Sequence, residues 1–370
     1  MNNHVTILEI DGSALEHNLN YFKKKLNPKT KILAVVKAFG YGGDGVKIAK
    51  FLEDKVDYFA VAYAHEGIAL RQEGVSNPIL VLHPQTPNLQ SIVEYKLEPN
   101  LYNFKIFNAF LNLSREISLI NYPVHIKFNT GLNRLGFGEK DIPKILSSLK
   151  QLNNIKIQSI FSHLAASEDL EEKGFTLNQI HNFSNLSKQC YTQLGYKPIL
   201  HILNTSGVVN YPDAQFNMVR IGIGLYGFGN DNIETSKLKN THNLKSIISQ
   251  IHEIKPGETV GYNKAFIAGG FIKTATIPIG HADGISRKLG NNKGHVLIKK
   301  QKAEIIGNVC MDMIMVDVTK INCAEGDEVI IFNTQEMIQN ISCISQTIPY
   351  ETLTSISQRV QKTLKKINLK

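Results

Sequence analysis

The sequence predicts an α/β fold, a (β/α)8 TIM barrel followed by a mainly β C-terminal domain. Eight short apolar runs alternate with amphipathic stretches over about 200 residues, the count and size of such a barrel. From about Ser246 the texture changes to short strands separated by Gly and Asn turns, with no long helices between them. An open doubly wound sheet satisfies the first observation equally and remains an alternative.

A first strand, Val5 to Ile10, precedes a helix that Asp11 or Ser13 can cap and that runs through Leu15, Leu19 and Phe22. The apolar runs are KILAVVKA from Lys31, YFAVAY from Tyr58, ILVLH from Ile79 and EPNLY from Glu98. They continue with VHIKFN from Val124, IKIQSIFSHL from Ile155, ILHILN from Ile199 and NMVRIG from Asn217. Between them GVKIAKFLEDK, HEGIALRQEG, NFKIFNAFLNLSREI, EKDIPKILSSLKQL and TLNQIHNFSNLSKQCYTQL have helical periodicity. Further on, SIISQIHEIK, TATIPIG, GHVLIKK, AEIIGNV, MIMVDVT and DEVIIFN read as strands, with a final helical piece near Pro349 to Leu364. The polar stretch Asn230 to His242 reads as a linker. The expected division is a barrel at residues 9–236 and a β domain at 237–370, which residues 1–8 join as a strand.

A chain of 370 residues with 42% hydrophobic and 20% charged residues has room for two cores and an ordinary globular composition. Its 41 Lys and Arg against 32 Asp and Glu give a net charge of +9. The lysines nevertheless sit beside acids, as in Glu139-Lys140-Asp141, and form no arginine-rich stripe, which argues against a nucleic-acid partner. Cys190, Cys310, Cys323 and Cys343 show no metal or disulfide spacing and suit a reducing compartment. The N-terminal residues do not resemble a secretion signal, and no apolar run reaches the roughly 18 residues of a membrane span, so a cytoplasmic protein is expected.

In a barrel of this kind the chemistry sits at the C-terminal ends of the strands. Lys37 ends the first run; Lys127 and Asn129 end the fifth, with Arg134 in the turn beyond; His163 ends the sixth. Asn204, Thr205 and Ser206 follow the seventh, Arg220 lies in the eighth, and Gly222 and Gly224 come after it. The segments Asn204-Thr205-Ser206-Gly207 and Gly222-Ile223-Gly224 combine hydroxyls, small residues and open backbone N–H groups where such barrels hold a phosphate, although the glycines alone also suit tight packing. A lysine ending an apolar strand either pairs, reaches water, or loses its charge and works as a nucleophilic amine. A phosphate across the same rim favours the last, because pyridoxal phosphate needs a lysine amine for its aldehyde.

With these residues placed, the sequence resembles bacterial alanine racemases, pyridoxal-phosphate enzymes that join a (β/α)8 barrel to a C-terminal β domain. The resemblance runs from AVVKAFGYG through VHIKFNTGLNRLGF, FSHLAASE, HILNTSG, FNMVRIGIGLYG, VGYNKAF, TIPIGHADG, GNVCMDMIMVDVT and GDEVIIF to PYETLTSISQRV. It implies that Lys37 carries the cofactor and that Tyr41, Asn204, Thr205, Gly222, Ile223 and Tyr350 hold it by its phosphate end. It also implies that His163 lies near the pyridine ring and that Arg220 meets the ring nitrogen. A guanidinium cannot accept a proton, so that nitrogen stays unprotonated and the cofactor is a weaker electron sink.

The resemblance further implies two acid–base groups, Lys37 on one face of the α-carbon and Tyr262 on the other. Arg134 binds the substrate carboxylate near that tyrosine, and Lys127 is the lysine carbamylated in many members, with an ordinary ion-paired lysine as the alternative. Tyr262, Met311 and Asp312 come from the other subunit in the family, so a homodimer with shared sites is expected, acting on a small amino acid. The chain departs from the family pattern at Gly43, at Asn129 where Asp is usual, at His281 in place of a tyrosine and at Asn308 in place of an arginine.

The implied function is interconversion of L- and D-alanine, supplying D-alanine for peptidoglycan. A broad-specificity or serine racemase of the same fold is the alternative. A non-catalytic pyridoxal-phosphate carrier lacks the C-terminal domain bearing Tyr262 and Asp312, and a barrel decarboxylase calls for an acid where Arg220 stands.

Overall fold

The computed structural model describes residues 4–149 and 153–365. Eight parallel strands form one sheet in the order Lys31–Val35, Tyr58–Val61, Ile79–Val81, Glu98–Leu101, Tyr122–Lys127, Ile155–Phe161 and Ile199–His201, with Met218–Ile221 beside the first. The seventh and eighth strands meet through backbone bonds from Asn217 N to Leu200 O and from Arg220 N to Leu203 O, both 3.0 Å. Those two bonds bring the sheet round into a nearly closed barrel and set aside the open-sheet alternative.

The helices between the strands follow from local chemistry. Asp44 accepts from Lys47 N at 3.0 Å and starts Gly45–Leu52; Asn103 accepts from Ile106 N at 2.9 Å and starts Phe104–Glu116. The second of these buries Ile106, Phe107, Phe110 and Leu111 along one stripe against the strands. Lys173–Leu194 is the longest helix and stops at Gly195, whose φ of 74° is the left-handed ending glycine permits. The end of the expected helical stretch EKDIPKILSSLKQL, residues 150–152, lies outside the described residues, as do residues 1–3 and 366–370.

A second sheet has nine strands in the order Gln250–Ile254, Ile272–Ile277, Ile314–Asp317, Gln301–Ile306, His295–Ile298, Glu328–Phe332, His242–Ile247, Ile7–Asp11 and Gln361–Lys365. Its last pair is parallel, Ile7 opposite Gln361 and Asp11 opposite Lys365. This corrects the expected helical piece from Pro349 to Leu364: the helix is only Pro349–Thr354, and the residues after Val360 extend because the edge of Ile7–Asp11 offers them a backbone ladder. A further helix, Gln335–Ser345, was not foreseen among the strands; Thr334 caps it by accepting from Met337 N at 3.2 Å.

The stretch read as an aperiodic linker is also built. Asp231 accepts from Glu234 N at 2.7 Å and starts the short helix Asn232–Ser236, whose Glu234 receives a hydrogen bond from Tyr21. Gln335 Nε2 donates to the carbonyls of Thr235 and Leu238 at 3.0 Å each. From the barrel side Asn18, fully buried on helix Gly12–Lys23, donates to Leu225 O at 3.0 Å and Lys239 O at 2.9 Å and accepts from Lys239 N at 2.7 Å. Replacing it by alanine strands those backbone groups away from water, so Asn18→Ala should lower unfolding stability by about 2 to 3 kcal/mol in denaturant melts.

Candidate active site

Lys37 does not end the first strand, as expected, but stands two residues past Val35 and opens a turn of opposite hand. Ala38, Phe39, Gly40, Tyr41 and Gly42 have φ of 51°, 56°, 66°, 56° and 83°. A left-handed turn costs about 1 to 2 kcal/mol for each residue bearing a Cβ, so something must hold it. Gly40 N donates to Val36 O at 2.9 Å, and Gly42 N to Ala38 O at 2.8 Å. Glu66 does the rest: Oε1 accepts from Ala38 N at 2.7 Å, while Oε2 accepts from Ala62 N at 2.7 Å and Tyr63 N at 3.1 Å. One carboxylate thereby ties the ends of the first two barrel strands together.

Space requires the first glycine after Tyr41 and crowds the second. A Cβ at Gly42 would lie 1.8 Å from Leu353 O, and one at Gly43 3.0 Å from Ile10 Cδ1 and 3.1 Å from His242 Nε2. The imidazole of His242 thus occupies the room a side chain at 43 would need, a physical reason for that departure. At Asn129, Nδ2 donates to Asn133 Oδ1 at 2.8 Å while Oδ1 accepts from Asn133 N at 2.9 Å, a division of roles an aspartate could not fill.

A cavity of about 530 Å³ opens at the C-terminal ends of the strands. Lys37, Lys127, Arg134 and Arg220 line it, and no carboxylate among the described residues does. Burial, followed by Arg134, lowers the Lys37 pKa, with Glu66 pulling the other way. Burial also takes Lys127 down to about 8, helped by Arg220 and Arg134, and its Nζ sits 5.9 Å from the centre of the Phe161 ring. Arg220 is drawn down to about 9 by burial, which still leaves it charged at neutral pH. Its Nη2 donates to Ser162 O, His163 Nδ1 and Ile202 O at 2.8, 2.9 and 3.0 Å, and its Nη1 donates to His201 Nδ1 at 2.8 Å. Nε–H has no acceptor among the described residues. His163 is pressed well below its ordinary range by burial and then by Arg220, so it is neutral with its hydrogen on Nε2.

Across the cavity lie Tyr41, Asn204, Thr205, Gly222, Ile223 and Tyr350. Burial raises both phenols, Tyr350 to about 12, so they stay protonated donors. Tyr41 stacks on Tyr226 at 4.5 Å between ring centres. A Cβ at Gly222 would come 2.5 Å from the Tyr41 hydroxyl, and Thr205 Oγ1 accepts from Gly222 N at 3.1 Å and Gly224 N at 3.3 Å. Asn204 Oδ1 accepts from Ser167 Oγ at 2.8 Å and Gly207 N at 2.9 Å, which fixes the turn carrying Thr205.

Tyr262, Met311 and Asp312 are not brought to this cavity within the chain. They border a separate hollow of the second sheet, where Tyr262 is 74% and Met311 58% exposed. Arg359 reaches Asp312 at 2.7 Å and also grips Asp283 at 2.6 and 3.1 Å. Asn308 donates to Tyr262 O at 3.1 Å. Sequence reasoning missed Glu66, His83, Tyr63 and Phe161, which hold or line the cavity. Only Glu66 left a signal, an acid three residues after the helix-start Tyr63.

Residues 10–229 match a family model described as alanine racemase, N-terminal domain, and residues 241–364 match alanine racemase, C-terminal domain. An alanine racemase of Citrifermentans bemidjiense is 33% identical, the match covering 97% of this chain and 98% of that one. A solved structure of alanine racemase from Clostridium difficile 630 superposes with a TM-score of 0.91 at 33% identity, covering 98% of this chain and 96% of that one. The structure of alanine racemase from Bartonella henselae with covalently bound pyridoxal phosphate does so with a TM-score of 0.84 at 28% identity, covering 97% and 99%.

Lys127 yields a pH signature. Below about 8 it is charged in both folded and unfolded states, so its burial penalty is complete; between 8 and the ordinary 10.5 only the unfolded chain keeps the proton, and stability rises with pH. Lys127→Met should therefore raise the melting temperature of the cofactor-free protein in bicarbonate-free buffer near neutrality. Its advantage over the native protein should shrink as pH climbs toward 10.5.

Proposed function

This chain belongs to the alanine racemase family, and from that premise we propose how its residues share the work. The reaction class is amino-acid racemisation, an isomerisation, with L- and D-alanine as the pair interconverted. The observation that carries the residue-level reading is the cavity lined by four cations and, among the described residues, no carboxylate, with the protonated phenols of Tyr41 and Tyr350 grouped near Gly222. It suits a ligand bearing both a phosphate and a carboxylate.

The residues present fit pyridoxal phosphate. A Cβ at Gly222 would fill the space beside the Tyr41 hydroxyl, Arg220 keeps an Nε–H donor for a ring nitrogen, and burial favours the uncharged Lys37 amine. Tyr41, Asn204, Thr205, Tyr350 and the backbone at Gly222 and Ile223 would hold the phosphate, with His163 beside the ring. When bound, the cofactor supplies an aldehyde that ties down an amine and a ring that draws electrons from the α-carbon.

Arg134 binds the substrate carboxylate, with Met311 of the partner subunit beside it, and orients the α-hydrogen. Lys37 Nζ moves a proton on one face. The hydroxyl of Tyr262, from the partner subunit of a homodimer, moves it on the other. Lys127 supports Arg134; burial brings its pKa down to about 8, so the small uncharged fraction near neutrality can add CO2 and release a proton, which would replace a repelling cation by an anion. Asp312, held by Arg359, steadies the segment carrying Met311. The division into residues 9–236 and 237–370, a cytoplasmic location and a supply role for peptidoglycan belong to the same reading.

With pyridoxal phosphate added, borohydride should fix the cofactor to the peptide containing Lys37, and Lys37→Ala should lose both that adduct and D-alanine formation from L-alanine. Turnover of serine equal to that of alanine would favour the broad-specificity alternative. Mixing Lys37→Ala with Tyr262→Phe, each inactive alone, should restore about one quarter of native activity if the sites are shared, since random pairing makes half the dimers mixed, with one intact site each. No restoration would remove the shared site.

A further inference from the structure

The barrel interior holds a file of buried polar side chains that this reaction does not use. Arg220 Nη1 lies 2.8 Å from His201 Nδ1, and His201 Nε2 lies 2.9 Å from Ser159 Oγ. Ser159 Oγ is 2.5 Å from His125 Nδ1, and His125 Nε2 is 2.8 Å from Glu98 Oε2. Tyr58 donates to the same carboxylate oxygen at 3.2 Å, and Gln158 Nε2 donates to Tyr58 at 3.2 Å. Arg220 is 4% and Glu98 8% exposed; the three between them are fully buried. Barrels of this type are filled by branched apolar layers, so a polar file running from the start of the fourth strand to the rim calls for a role.

The two ends fix where the hydrogens lie. A guanidinium only donates, so His201 Nδ1 accepts and its hydrogen is on Nε2, aimed at Ser159. His201 is neutral, because burial and then the charge of Arg220 oppose protonation. The His201 Nε2 hydrogen fills a lone pair of Ser159, which sends the Ser159 hydroxyl hydrogen to His125 Nδ1, and His125 Nε2 then carries the hydrogen donated to Glu98, so every donor points from Arg220 toward Glu98.

We infer that Glu98 is a positioning residue for Arg220: acting through His125, Ser159 and His201, its carboxylate orders all the donors one way. Each link makes the next acceptor more basic, so His201 pulls harder on the Nη1 hydrogen and Arg220 donates less strongly elsewhere. The effect on a ring nitrogen rests on the cofactor placement proposed above; the order of hydrogens does not.

The test compares native protein, Glu98→Gln, Ser159→Ala and the double variant by 15N NMR, with labelled histidines in cofactor-free protein and with ring-labelled pyridoxal phosphate in holoenzyme. Native His125 and His201 should each show a bare Nδ1 and a protonated Nε2. Glu98→Gln should move the cofactor ring-nitrogen resonance toward that of a protonated ring, and Ser159→Ala should do the same by cutting the file. The double variant should match Ser159→Ala alone, since a cut file no longer transmits what happens at Glu98.

A doubly protonated His125, an unmoved resonance in either single variant, or additive shifts in the double variant would overturn the inference. Should Glu98→Gln fail to fold, Ser159→Ala, which keeps the Glu98–His125 pair, decides. A native protein that borohydride leaves without a Lys37 adduct defeats the cofactor reading instead, and the histidine resonances of the cofactor-free protein then judge the file.

Discussion

The burial of the Arg220 guanidinium is the constraint around which the barrel is arranged. A cation removed from water is costly unless its donors are met, and here those of the two Nη groups are met by backbone carbonyls of Ser162 and Ile202 and by ring nitrogens of His163 and His201. Those carbonyls lie just past the sixth and seventh strands, so the loops there turn toward the arginine instead of extending the ladder. The seventh strand is only three residues long, and its contact with the eighth is two backbone bonds. Burial, and then the same charge, keeps both histidines neutral, and with Lys37, Lys127 and Arg134 that charge makes the cavity strongly positive.

Against this rigid side of the cavity stands the left-handed turn of residues 38–42. Ala38, Phe39 and Tyr41 all sit in a region that L-residues avoid, and the turn brings Lys37 and Tyr41 onto the same cavity. An extended strand end would place residues four apart on one face too, but nearly 13 Å from each other at about 3.3 Å per residue. The reversal of hand shortens that reach, and Glu66 secures it by binding backbone on both neighbouring strands.

The barrel was legible because its strands are short apolar runs and its helices carry periodic stripes, both properties of neighbouring residues. Ten of the residues singled out in the sequence line one cavity because strand ends and the loops after them converge by topology, and Tyr350 joins them from the helix Pro349–Thr354. What was hidden is what depends on partners distant in sequence. Gln361–Lys365 reads as helix until the edge of Ile7–Asp11 is present, and the stretch after Asn230 reads as linker until Asn18 and Gln335 bind its carbonyls. Glu66 looks like a helix-start acid; its bond to Ala38, 28 positions away, has no local trace. Ser159 and His125 look like interruptions of apolar strands, and only the closed barrel sets them in a file.

The parallel pairing of Ile7–Asp11 with Gln361–Lys365 has a consequence for the order of assembly. The whole barrel sequence lies between these neighbours, so a growing chain can finish its barrel while its earliest strand still lacks its outer companion. The nine-stranded sheet is completed only when residues 361–365 arrive, which makes that sheet a checkpoint: a chain broken off anywhere before residue 361 leaves Ile7–Asp11 with an open edge, ready to recruit another chain.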